Sequence, residues 1–92
     1  MKKFVIIIYK VDGDDKSVKD NIKLLGAWFN YLQGSFLLIT TISVEEIYKR
    51  ISTNKSSDRF LIMEVDLKSY YGILPTEAWD WIRERKNELG RR

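Results

Sequence analysis

The 92-residue sequence contains no cysteine and no histidine. Without thiols there is no disulfide, no thiolate metal site and no cysteine nucleophile, a composition that fits a reducing cytoplasm. Without imidazole the chain lacks the usual general base near neutral pH and the commonest metal ligand. Any hydrolytic site therefore has to rest on carboxylates, lysine, tyrosine or backbone. There is one proline and there are five glycines, with no Gly-rich phosphate loop, no serine-centred nucleophile elbow and no zinc-ligand spacing. The apolar run that begins at Phe4 is broken at Lys10 and followed by Asp12, Asp14 and Asp15. It is too short for a secretory segment or a membrane span, so the sequence predicts a soluble cytoplasmic protein with no membrane partner.

Charge is mixed: 16 basic residues against 13 acidic give a net charge of +3, an excess that permits contact with phosphates without requiring it. The length predicts a single domain over residues 1–92, burying about 60–65% of the unfolded chain's surface. Oligomerisation would add to so small a core.

Residues 26–41 carry the strongest structural signal. They read as two aromatic and aliphatic arms, 28–32 and 36–40, joined at Gln33-Gly34, with almost no polar alternation. Upstream, residues 4–11 are β-branched and aromatic at successive positions, the pattern of a strand buried on both faces, hence central. Asp12, Gly13, Asp14 and Asp15 form a turn, and Ser17 with Asp20 has capping-box spacing ahead of Val18, Ile22 and Leu25. Ser43 and Glu46 repeat that spacing before Val44, Ile47, Tyr48 and Ile51. A polar loop over 52–58 leads to a strand at 60–65, and Pro75 marks the start of a last helix running to Leu89. The order βαββαβ predicts an α+β fold of the ferredoxin-like kind: an antiparallel sheet with two helices on one face, plus an added C-terminal helix. Residues 1–66 form the core and 67–92 the C-terminal extension and helix.

Such a sheet leaves one face open, yet its strands are apolar on both sides. The open face needs cover from the C-terminal helix, a second subunit or both. The expected form is a homo-oligomer, at least a dimer, with Phe29, Phe36, Trp79 and Trp81 at the contact. Trp79 and Trp81 lie roughly 200° apart on a helix, so a single facet does not bury both.

Three groups of residues are candidates for chemistry. Asp12, Asp14 and Asp15 crowd one turn, where carboxylates hold a divalent cation in phosphodiester chemistry, and where they also serve as ordinary turn and helix-start residues. Lys16, Lys19 and Lys23 share a helix face that either tracks a phosphate backbone or is simply solvated. Tyr70, Tyr71 and Gly72 precede a helix start, an arrangement that suits either stacking on a nucleotide or covering a seam.

The run Leu25, Gly26, Ala27, Trp28, then Leu32, then Ser35 to Leu38 and Thr40, followed by Ser43, Glu46 and Ile47, resembles small proteins labelled SinR family. These are unrelated to the helix-turn-helix regulator of that name. They are similar to the ferredoxin-like subunit of the CRISPR spacer-acquisition complex and to VapD-type toxins. The likeness spans residues 3 to 65 and implies a ferredoxin-like homodimer. In some members it also implies a metal-dependent nuclease with an aspartate ending the first strand. Here Lys10 stands near that aspartate and Asn30 near a frequent histidine. A cation at Lys10 repels a divalent metal.

The resulting expectation is a non-enzymatic oligomeric binding protein without a cofactor, recognising a nucleotide, nucleic acid or protein partner. It would do so through Lys10, Trp28, Asn30, Tyr31, Tyr70 and Tyr71, and a phage or mobile-element counter-defence factor sequestering a nucleotide signal is one form of it. Two alternatives stand beside it. One is a magnesium- or manganese-dependent nuclease or phosphodiesterase using Asp12, Asp14 and Lys10; the other is a purely structural or antitoxin-like module.

Overall fold

The computed structural model describes residues 2–30, 32–53, 55–66, 68 and 71–90. Among these residues seven elements follow one another: β1 (Lys3–Lys10), α1 (Lys16–Lys23), β2 (Ala27–Phe29), β3 (Ser35–Thr40), α2 (Val44–Ile51), β4 (Arg59–Val65) and α3 (Thr76–Gly90). The strands form one antiparallel sheet in the order β2-β3-β1-β4. The ferredoxin-like βαββαβ arrangement with a C-terminal helix is thus present, and the doubly apolar β1 lies inside the sheet.

Side-chain alternation splits β1 cleanly. Val5, Ile7 and Tyr9 join Phe36 and Leu38 of β3 in a core closed by Val18 and Ile22 of α1, Leu25, and Ile47 and Ile51 of α2. Phe4, Ile6, Ile8 and Lys10 point to the other face. α2 starts as its sequence predicts: the Ser43 side chain accepts from the Glu46 N–H at 3.2 Å.

α1 starts differently. Asp15, not Ser17, is the N-cap residue, and it makes no side-chain cap bond. Its carboxylate is taken by the Tyr9 hydroxyl at 2.7 Å, while Asp14 Oδ1 accepts from the Lys16 N–H at 2.9 Å. Asp20, the other half of the expected box, pairs with Lys16 at 2.8 Å.

β2 is shorter than expected, three residues in place of five. The Asn30 amide turns the chain by donating to the carbonyls of Leu32 at 3.1 Å and Ser35 at 2.7 Å. Gly26 sits beyond the Leu24 C-cap of α1, where a Cβ would stand 2.1 Å from the Ile39 carbonyl oxygen. Only glycine permits that approach of two backbones. Thr40 locks the same corner, donating to the Leu25 carbonyl at 2.8 Å and accepting from the Ile42 N–H at 3.1 Å.

Candidate interaction surface

The second face of the sheet is apolar, as its sequence requires, and α3 covers only part of it. Ala78 and Ile82 of α3 are buried, as are Phe4 of β1 and Ile39 of β3. Trp81 packs between two strands, its ring 6.5 Å from that of Phe4 and 5.7 Å from that of Phe29. Arg85 lies one turn further on, its guanidinium 5.5 Å from the Trp81 ring. Ala78, Trp81, Ile82 and Arg85 fall at i, i+3, i+4 and i+7, one helix stripe.

Beyond that stripe the face stays open. Ile8 of β1 stands opposite Leu61 of β4, and Ile6 opposite Met63. Ile8 is 44% exposed, Leu61 50% and Met63 46%, so the open half presents adjoining aliphatic side chains to water. Lys10 and Arg59 are the next opposed pair and close one end of the strip with positive charge. The Arg59 guanidinium donates to the carbonyls of Ser56 at 2.7 Å and Asp58 at 3.0 Å.

Among the described residues, those expected at a ligand do not converge. Trp28 lies on the helix-bearing face, its ring 5.8 Å from that of Phe36, with Lys23 Nζ 4.7 Å above it. Lys10 projects from the opposite face, so the sheet itself separates the two. Asn30 is engaged in the β2–β3 turn, and Tyr71 is fully exposed on the segment before α3. Tyr31 and Tyr70 lie outside the described residues.

The residues expected at a contact between copies mostly serve the chain itself. Phe36 is 1% exposed and belongs to the core, 6.4 Å from the Tyr9 ring. Phe29 and Trp81 meet each other. Trp79, off the α3 stripe, folds back on its own connector, its Nε1 donating to the Leu74 carbonyl at 3.1 Å.

The aspartate turn opens on a cleft of about 470 Å³ whose lining includes Lys10, Asp14, Asp15, Gln33 and Gly34. Both carboxylates are engaged: Asp14 accepts from the Lys16 N–H at 2.9 Å, and Asp15 accepts from Tyr9 and lies 3.8 Å from Lys19 Nζ. The Asp12 backbone N–H donates to Asp58 Oδ1 at 3.3 Å. Among the described residues no three histidine, cysteine or carboxylate side chains come together to hold a metal ion. Also among them, no helix is long and apolar enough to cross a membrane.

Sequence reasoning missed Ile8, Leu61 and Met63. The usable signal was the apolar run Phe60 to Met63, which has an inner and an outer face like β1 but sits at the end of the sheet. The chain matches no family model, no curated protein and no solved structure.

Proposed function

We propose that this chain is a non-enzymatic binding protein that works as an assembly of at least two copies, joined beside the half of its sheet that α3 leaves uncovered. The observation that carries this reading is the strip of Ile8, Leu61 and Met63. Three half-exposed aliphatic side chains on adjoining strands cost free energy in water and gain it when a matching surface removes them. The strip favours protein over nucleic acid, because aliphatic side chains offer no ring on which a base can stack. A nucleotide is disfavoured within one chain, where Lys10 and Trp28 occupy opposite faces of the sheet. The Asp14 and Asp15 carboxylates accept from the Lys16 N–H and the Tyr9 hydroxyl, which supports a role without metal-dependent cleavage. The test is the mass of the native species across a dilution series, compared with Leu61→Lys. An assembly that dissociates on dilution, and is lost in the variant, is the expected result; a monomer at every concentration overturns the proposal.

A further inference from the structure

Resting on that assembly, the geometry points to how the copies meet: we infer that β4 of one copy pairs antiparallel with β4 of a second, extending the sheet across a two-fold axis. In the described sheet β4 pairs with β1 alone and forms one edge, so every second backbone N–H and C=O along its outer side faces away from the sheet. The other edge, β2, has three residues and offers little to pair. β4 has seven, with no proline and no charge between Phe60 and Met63. Its charges, Arg59 and Glu64, lie toward the ends of the strand, so the stretch from Phe60 to Met63 carries none of the devices that ordinarily protect an edge.

A second observation, independent of the edge itself, is where exposed apolar side chains lie. On one face of the sheet Leu61 and Met63 of β4 are half exposed, beside Ile8. On the other face Tyr48 of α2 is 49% exposed and stands edge-on over Phe60 of β4, ring centroids 6.2 Å apart. Exposed apolar surface thus flanks this edge on both sides. A partner resting on the open face would cover Leu61 and Met63 and leave Tyr48 in water. A strand added to the edge covers both sets.

The occupant is a second copy because β4 complements itself. A two-fold axis perpendicular to the sheet keeps each side chain on its own face, so residues of equal parity oppose one another. Centred on Ile62, the axis pairs the full strand. Leu61 then faces the partner's Met63, Phe60 faces the partner's Glu64 and Arg59 faces the partner's Val65, with no like charges opposed. Leu61, Met63, Tyr48 and the strand backbone together bury well under the about 800 Å² per partner of a standard interface. The dimer is accordingly expected to be concentration-dependent.

Hydrogen exchange and sedimentation on the full chain test this together. Raising the concentration should slow exchange of β4 amides. Tyr48→Lys and Leu61→Lys should each weaken dimerisation by about tenfold or more, since each substitution occurs twice in the seam, while Tyr48→Phe retains it. Circular dichroism of each variant checks the fold, which half-exposed positions should leave intact. A dimer weakened by Leu61→Lys but indifferent to Tyr48→Lys, with β4 amide exchange independent of concentration, overturns strand pairing while leaving assembly through the face standing. A wild-type monomer throughout overturns both.

Discussion

The Tyr9 hydroxyl donates to Asp15 Oδ2 at 2.7 Å, fastening the end of β1 to the N-cap residue of α1. Burial, then the hydrogen bond and the negative charge of Asp15, push the Tyr9 phenol far above its ordinary value of 10.0. The folded chain therefore favours the neutral phenol. The stability this confers is fully present below pH 10 and is lost as pH rises toward the elevated folded value. Tyr9→Phe should cost about 0.5–1.5 kcal/mol at neutral pH and flatten the alkaline loss of stability. Urea unfolding across pH, with ultraviolet titration of the phenolates, checks both.

The carboxylate of Asp14 is committed to the Lys16 N–H, which makes it a helix-start residue. Asp14→Ala should cost about 0.5–1.5 kcal/mol in thermal or urea unfolding, the net worth of one such hydrogen bond. Magnesium or manganese should not raise the melting temperature of the wild type, and neither should elicit cleavage of RNA or DNA. Metal-dependent cleavage abolished by Asp12→Ala or Asp14→Ala would establish the phosphodiesterase alternative.

Gly26→Ala should be among the most damaging small substitutions, because its methyl group would occupy space held by the Ile39 carbonyl. Displacing β3 from that corner also strains the Thr40 bond to Leu25. A loss of at least about 1–3 kcal/mol is expected, measured by denaturant unfolding.

Trp81 and Trp79 should separate clearly on truncation. Trp81→Ala removes the packing between Phe4 and Phe29 and should fall near the low end of the roughly 3–5 kcal/mol typical of aromatic truncation. Trp79→Ala should cost less. Its Nε1 bond to the Leu74 carbonyl is worth about 1 kcal/mol, and its ring lies off the buried stripe. Parallel melting curves decide the order.

Local signals were legible and tertiary ones were not. Ser43 caps α2 as read, because a capping bond spans three residues and needs no other part of the chain. α1 starts at Lys16 with Asp15 as its N-cap, ahead of the expected Ser17, and the Asp15 carboxylate is held by Tyr9, six residues upstream, a contact that no local spacing announces. The doubly apolar β1 announced a central strand, and the alternation of Trp28 and Phe29 assigned them correctly to opposite faces. Alternation alone could not tell that Phe36 shares the helix-covered face, since that depends on its pairing with Ile7. The open strip was least legible: which half of the second face α3 covers depends on where Trp81 lodges between Phe4 and Phe29, a packing result with no sequence period of its own.

Sedimentation equilibrium of the wild-type chain beside Leu61→Lys tests the central claim most directly. The account predicts a wild-type species of at least twice the chain mass that dissociates on dilution, and a folded monomer in the variant. A wild type that remains monomeric at every concentration would contradict it.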